Sequence, residues 1–116
     1  MTQRFGPDAR LRNRAEFKAV ETGNRRVSER FLTLVGKPNG RPDDRLGIIA
    51  SRRVGGAVQR NKAKRRMREV FRRRTPQAEP RGLDLVVIAR TDAVHAPFEA
   101  VRTDFLAALS KLRGAR

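Results

Sequence analysis

The side chains best suited to chemistry in this sequence lie in one short segment. From Arg52 to Arg74 the chain carries eleven basic residues and a single acid, Glu69. Guanidinium and ammonium groups in such a run are hydrogen-bond donors that fit the oxygens of phosphate groups. The segment therefore predicts binding of a polyanion rather than bond cleavage by the protein itself.

Helical periodicity divides this segment into two sides. One side is apolar over a sector of about 100°, wide enough to seat a helix on a sheet, and consists of Ala63, Met67, Val70 and Phe71. A ridge of cations at i, i+4 spacing runs beside it, formed by Arg60, Lys64, Arg68 and Arg72, with Asn61 and Arg65 adjacent. Like charges at this spacing repel by roughly 0.2 to 0.5 kcal/mol per pair, and a bound phosphate backbone reverses that effect. We therefore expect the ridge to bind nucleic acid.

Two further arginines precede this helix. Arg52 and Arg53 follow the end of a predicted strand, where a phosphate could meet both side chains and free backbone N–H groups. Gly55 and Gly56 lack the spacing of a phosphate-binding loop and predict a tight strand-to-helix turn. Two alternatives are less well supported, because a solvated face would mix both charge signs and a membrane-surface helix would need a larger apolar side.

The other polar residues show no catalytic arrangement. His95 is the only histidine, Asp43 and Asp44 are adjacent in a turn-rich loop, and no serine lies in a nucleophile motif. Cysteine is absent, which removes disulfides, thiolate metal sites and cysteine nucleophiles. We expect no cofactor held by protein side chains and no small-molecule substrate.

Length and charge give the setting for this segment. The chain has 116 residues, a net charge of +16 and a pI near 11.9. These values predict one domain over residues 1–116 with a polyanionic partner, preceded at residues 1–10 by a flexible basic arm. No stretch is apolar enough to span a bilayer or to act as a signal peptide, so we expect a cytoplasmic protein that does not bind membranes.

The remaining patterns predict the elements that carry the basic segment. A short helix should begin at Asn13, whose spacing to Glu16 fits a capping box. The runs "VSERFLTLV" and "RLGIIAS" predict two strands, with a possible shorter strand near Arg26 to Ser28. After the basic helix, "DLVVIAR" is typical of a strand covered on both faces, and a final amphipathic helix should begin near Pro97. This order predicts a single α+β sandwich.

One motif in the basic helix resembles a known family. The stretch "RNKAKRRMRE", Arg60 to Glu69, reproduces the R-N-x-x-K-R-x-x-R-E pattern of the bacterial ribonuclease P protein subunit. The flanking stretches "LRNRAEFKAV", "GIIASRRVGGAVQRN" and "DLVVIAR" are similar to that family too, over about residues 10–112.

The resemblance implies a function in tRNA 5′ maturation. The partners would be the catalytic ribonuclease P RNA and precursor tRNA, and the protein would act as a component of that endoribonuclease. Catalysis would be carried by the RNA, with Mg²⁺ held in the RNA partner. The RNA-facing positions would be Arg60, Asn61, Lys64, Arg65 and Arg68, with Arg52 and Arg53 upstream. A cleft for the single-stranded 5′ leader would be lined by Phe17, Phe31, Ile49 and Ser51.

The resemblance also implies a fold. It is αβββαβα, a two-layer sandwich with a left-handed βαβ crossover through the basic helix, whereas general rules of chain topology favour the right-handed form. The chain has no Tyr or Trp, so leader contacts should depend more on aliphatic packing and charge than on base stacking. A ribosomal type of RNA-binding protein and a stand-alone nuclease are the alternatives, and the second would need a catalytic arrangement in the protein.

Overall fold

The computed structural model describes residues 10–11, 14–21, 25–74 and 82–114. Within these residues three helices and four strands follow one another in the predicted order αβββαβα. They are α1 (Arg14–Glu21), β1 (Arg25–Ser28), β2 (Leu32–Pro38), β3 (Arg45–Ile49), α2 (Ala57–Arg73), β4 (Leu83–Ala89) and α3 (Phe98–Gly114), with a 3-10 turn at Thr91–Ala93. The α+β class is confirmed. The proposed cap at Asn13 and residues 1–9 of the predicted arm lie outside the described residues, whereas Arg10 forms a β-bridge with Leu46.

One sequence-based boundary was wrong. The run "VSERFLTLV" is not a continuous strand, because the chain turns at Glu29 to Phe31 and the Glu29 N–H donates to the Leu32 carbonyl at 2.8 Å. Val27 and Ser28 belong to β1, the short strand expected near Arg26. β1 and β2 form an antiparallel pair, so this turn reverses the chain.

The four strands form one mixed sheet in the order β1-β2-β4-β3. β2 is antiparallel to both β1 and β4, and β3 is parallel to β4. The parallel pair is connected through α2, which confirms the βαβ unit that contains the basic helix. The left-handed turn of this unit stays a prediction.

Helices cover both faces of the sheet. α2 and α3 bury the larger core, whose largest fully buried side chains include Phe71, Phe105, Leu32, Leu34 and Leu85. α1 packs on the other face, where Val20, Val35 and Val86 are buried and Phe17 lies against them. β4 is buried on both faces, as its uninterrupted apolar sequence predicts. The basic helix α2 and the helix α1 therefore lie on opposite faces of the sheet.

Candidate nucleic-acid interface

α2 sits on the sheet through the apolar side that the sequence predicts. Ala63, Met67, Val70 and Phe71 are its buried residues. Gly55 has a φ of 140°, a conformation that side chains rarely adopt, and it makes the tight turn that precedes the helix. No acid lies in the first turn of α2 and no side chain caps it. The helix start therefore presents a positive dipole end beside cationic side chains, which suits an anionic partner.

The predicted RNA-binding residues differ in how far they are exposed. The exposed ones are Arg52, Arg53, Asn61, Arg65 and Arg68, and the half-buried ones are Arg60, Lys64 and Arg72. Five of these cations have no carboxylate partner among the described residues and are called the free cations: Arg52, Arg53, Lys64, Arg65 and Arg68. Their side chains are available to an external anion.

Arg60 lies nearer the core than the cationic ridge suggested. It precedes Ala63 by three residues and Met67 by seven, which places it on the buried side of the helix. Its Nε atom is buried and has no hydrogen-bond partner in the described part of the chain. An unpaired buried donor is costly, by roughly 1 to 3 kcal/mol, so an acceptor supplied from outside would be favourable at this position.

Arg72 has a protein partner. Its Nε and one terminal nitrogen donate to the two Glu69 oxygens at 3.1 and 2.7 Å, and Arg73 approaches the same carboxylate at 2.5 Å. The hydrogen bond from Arg72 is the main reason that the pKa of Glu69 is lowered, and the same contact raises the pKa of Arg72. The prediction that Arg72 binds RNA stays a prediction, in competition with Glu69.

Two other arginines of the segment stabilise the fold. The Arg74 side chain is only 10% exposed, with its guanidinium 3.7 Å from the centre of the Phe71 ring and its Nε 3.2 Å from Asp44 Oδ2. Burial lowers the pKa of Arg74, while Asp44 opposes that effect. Arg66 donates to the carbonyls of Ala93 and Ala96. Counting charges along the sequence could not separate these two residues from the free cations.

A cleft of about 490 Å³ opens where three strands meet the basic segment. This surface, called the basic pocket, is lined by Arg30, Thr33, Ser51, Arg53, Ile88, Ala89, Arg90, Thr91 and Asp92. Arg53 follows β3 and Arg90 follows β4, and the carboxyl ends of these parallel strands lie side by side. Arg30 precedes the antiparallel strand β2, whose start lies beside the end of β4. The sequence analysis did not predict Arg30 or Arg90 as binding residues. The arginine that follows β4, like those that follow β3, could have indicated Arg90.

A second, smaller depression lies between α1 and α2 across the edge strand β3. This α1 groove measures about 140 Å³ and is lined by Arg10, Leu11, Phe17, Leu46, Gly47, Ile48, Lys64 and Arg68. The Phe17 ring rests directly on Gly47, since a Cβ at that glycine would lie 2.5 Å from Phe17 Cζ. The glycine therefore permits an aromatic ring and two of the free cations to border one groove.

Three of the four predicted leader-cleft residues lie along this face of the sheet. Phe17 borders the α1 groove and Ser51 the basic pocket. Ile49 lies between them, because it is two residues after Gly47 on β3 and pairs in register with Ile88. Ser51 also orders its own turn, where its Oγ accepts from the Arg53 N–H at 3.3 Å.

Phe31 lines neither the α1 groove nor the basic pocket, and its assignment to the leader cleft stays a prediction. It belongs to the core under α2 and α3 and is only 8% exposed. Its N–H donates to Asp104 Oδ2 at 2.9 Å, which ties the start of β2 to α3. The Phe31 ring therefore packs within that core.

An ion-pair network anchors α1 beside the groove. Arg45 on β3 donates to both Asp84 oxygens at 2.8 and 2.7 Å and to Glu16 Oε2 at 3.1 Å. Burial tends to raise the pKa of Asp84, but hydrogen bonds from Arg45 and Asn39 outweigh it and lower that pKa. Since Glu16 adjoins Phe17 in α1, the network also helps to place the Phe17 ring.

Two negative findings apply to the described ranges. They contain no group of three or more His, Cys, Asp or Glu side chains arranged to hold a metal ion. None of the helices in them is long and apolar enough to cross a membrane.

Comparison with known proteins identifies relatives of the whole arrangement. The sequence model of the family described as Ribonuclease P matches residues 5–113. The ribonuclease P protein component of Chloroflexus aurantiacus is 41% identical, and the match covers 86% of this chain and 74% of that protein. The corresponding component of Thermotoga maritima is 34% identical, and the match covers 98% of this chain and 100% of that protein.

Solved structures agree with this result. The RNase P protein from Thermotoga maritima superposes with a TM-score of 0.77 at 34% identity, covering 88% of this chain and 96% of that one. The RNase P protein of Staphylococcus aureus superposes with a TM-score of 0.77 at 28% identity, covering 88% of this chain and 93% of that one.

Proposed function

The chain belongs to the bacterial ribonuclease P protein family, and from that premise we propose that it binds ribonuclease P RNA and the 5′ leader of precursor tRNA. Family membership makes it a protein component of the ribonuclease P ribonucleoprotein, with a role in tRNA 5′ processing. The finer proposal concerns which surface meets which RNA.

The observation that carries the proposal is the segregation of free cations. Arg52, Arg53, Lys64, Arg65 and Arg68 surround one helix and its leading turn without a carboxylate partner among the described residues. The carboxylates of Asp44, Asp84 and Glu69 are all engaged by other arginines. Cations that a protein leaves unpaired on one side are the electrostatic footprint of a nucleic-acid partner.

We assign ribonuclease P RNA to the outer side of α2 and the turn before it. Arg65 and Asn61 point away from the buried residues of the helix, and Arg52 extends the surface past the helix start. Folded RNA offers closely spaced phosphates to such a row, and Arg forks contact them with two donors each. Arg60 could donate its buried Nε to the same partner.

We assign the single-stranded leader to the face of the sheet beside α1. The path would run from the α1 groove, past Ile49, to the basic pocket. Phe17, Ile49 and Ile88 offer apolar contact for bases or riboses. Cations stand at both ends of this path to contact phosphates, Lys64 and Arg68 in the α1 groove and Arg53 and Arg90 in the basic pocket. Alternation of apolar and cationic groups is typical of surfaces that bind single strands.

The chemical step is assigned to the RNA partner. As the resemblance implies, the RNA would hold the Mg²⁺ ions that leader cleavage uses, and the protein would contribute affinity and position. This division of labour is compatible with a site composed of arginines, lysines, hydroxyls and apolar groups, which suit binding rather than acid-base catalysis.

Reconstitution tests the proposal directly. The purified chain is added to a bacterial ribonuclease P RNA at low magnesium, and cleavage of precursor tRNA is followed. Stimulation of 5′ leader removal is expected, and failure to stimulate at any magnesium concentration would overturn the proposal. Cleavage by the protein without RNA would instead indicate a stand-alone nuclease.

A pair of variants shows which surface acts. Arg65→Ala on α2 should reduce stimulation at limiting protein, because it removes a free cation from the RNA-facing side. Arg25→Ala is the matched control, since Arg25 is an exposed arginine on β1, at the opposite edge of the sheet from β3. Equal losses in the two variants would show that overall charge, not this surface, drives binding.

A further inference from the structure

Arg66 makes contacts that differ from those of its neighbours in the basic helix. It stands next to Arg65, yet its Nη1 atom donates to the carbonyl of Ala93 at 3.0 Å and to the carbonyl of Ala96 at 2.5 Å. Both acceptors lie in the short connection from β4 to α3. This arginine is therefore engaged within the protein, while Arg65 is exposed.

The segment that Arg66 holds also lines the basic pocket. Arg90, Thr91 and Asp92 border that pocket opposite Ser51 and Arg53. Ala93 directly follows Asp92 and is fully buried, so a contact at the Ala93 carbonyl limits movement of the whole turn.

A second contact fastens the same turn from the other side. Thr91 Oγ1 donates to the Arg53 carbonyl at 3.3 Å. The turn is thus tied both to α2, through Arg66, and to the residues that precede α2, through Arg53. The two walls of the basic pocket are held at a set separation by these contacts.

We propose that Arg66 is a positioning residue for leader binding. It holds Arg90 and Thr91 in register with Ser51 and Arg53, so that one leader phosphate can meet cations and hydroxyls from both walls. The inference rests on the proposed function, because it concerns the surface assigned to the leader. A planar guanidinium can serve two carbonyls at once from a fixed geometry, which the single ammonium of lysine reproduces only in part.

The test compares holoenzymes that contain wild-type protein, Arg66→Ala, Arg66→Lys or Arg65→Ala. For each, the Kd for precursor tRNA with its leader and for mature tRNA without it are measured. The affinity of each chain for ribonuclease P RNA and its thermal unfolding are measured alongside.

Arg66→Ala should weaken binding of precursor tRNA by about three- to tenfold, the effect of losing a charge-assisted contact that acts indirectly. The Kd for mature tRNA and the affinity for ribonuclease P RNA should stay within about twofold of wild type, and Arg66→Lys should recover part of the loss. Arg65→Ala is the matched control, expected to weaken affinity for ribonuclease P RNA without a leader-selective effect.

Other outcomes would contradict the role of Arg66 in leader binding. An unchanged leader-dependent Kd in Arg66→Ala would overturn the inference, as would equal losses for leader-bearing tRNA, mature tRNA and ribonuclease P RNA. If Arg66→Ala does not fold, Arg66→Lys provides the test, with a smaller loss that is still selective for leader-bearing tRNA. If wild-type holoenzyme does not distinguish precursor from mature tRNA, the leader assignment itself fails.

Discussion

Glu69 controls how many cations α2 can offer to RNA. Its carboxylate binds both Arg72 and Arg73, so replacing it with glutamine should release two guanidinium groups. We expect Glu69→Gln to bind ribonuclease P RNA with a steeper dependence on salt, by about one to two in the slope of log K against log salt. Filter binding over a salt series measures that slope.

A control for Glu69→Gln is available on α3. Glu99 pairs with Arg102 at the same i, i+3 spacing but on a different helix. Glu99→Gln should leave the slope unchanged. An unaltered slope in Glu69→Gln would mean that Arg72 and Arg73 do not reach RNA even when released.

Arg65 and Arg74 show how one residue type performs two tasks in the same helix region. Arg74→Ala should lower the free energy of unfolding by about 2 to 3 kcal/mol, because it removes one of the two guanidinium groups that pair with the buried Asp44 carboxylate in the described part of the chain. Arg65→Ala should stay within about 0.5 kcal/mol of wild type, since Arg65 is exposed, but should bind RNA more weakly. Urea denaturation and RNA binding of both variants measure the contrast, and a large stability loss in Arg65→Ala with intact RNA binding would assign Arg65 to the fold.

At the scale of elements, the packing of α1 against β3 determines the shape of the α1 groove. A methyl group at Gly47 would overlap Phe17, so Gly47→Ala must displace the ring or the helix. We expect a loss of roughly 1 to 3 kcal/mol in unfolding free energy, together with weaker binding of leader-bearing tRNA. Gly114→Ala is the control, since no atom lies within 4 Å of its added methyl group. Wild-type stability in Gly47→Ala would contradict the close packing of Phe17.

The network beneath α1 predicts a pH dependence of stability. Because the folded-state pKa of Asp84 lies below its ordinary value of 3.8, the unfolded chain takes up the proton first as the pH falls. The contribution of Asp84 is therefore complete well above that value and is lost as the pH decreases through it towards the lowered pKa. Asp84→Asn should be less stable than wild type at neutral pH, and the difference should shrink below about pH 4. Urea unfolding over a pH series measures this difference, and a constant gap would contradict the network.

At the scale of the whole molecule, affinity should depend on the summed charge. The net charge is +16, and the free cations lie on and around α2. If about six phosphates are neutralised, affinity for RNA should fall roughly a thousandfold between about 50 and 200 mM salt. Equilibrium binding to ribonuclease P RNA over that range measures the effect, and a flat response would contradict a phosphate-based interface.

Periodicity in the sequence was sufficient to predict the order of the elements and which side of α2 packs on the sheet. The spacing of Ala63, Met67 and Phe71 places them on one side of any helix, whatever the rest of the chain does. The cationic motif was likewise predictable, because it depends on neighbours a few residues away. The βαβ unit requires β3 to pair with the distant strand β4, and it was implied only by the resemblance to the family. The interrupted strand at Glu29 was not predictable, because β propensity does not show where a chain reverses.

The sequence by itself determined that one helix would be apolar on one side and cationic on the other. Only the tertiary structure decided which cations remain free. Arg66 and Arg74 are indistinguishable from Arg65 in a charge count, but their partners Ala93 and Asp44 are about thirty residues away along the chain. The basic pocket likewise forms only where the ends of β3 and β4 meet the start of β2. Local spacing encodes the faces of an element, whereas the partner of a charge depends on which distant segments the fold brings within hydrogen-bonding distance.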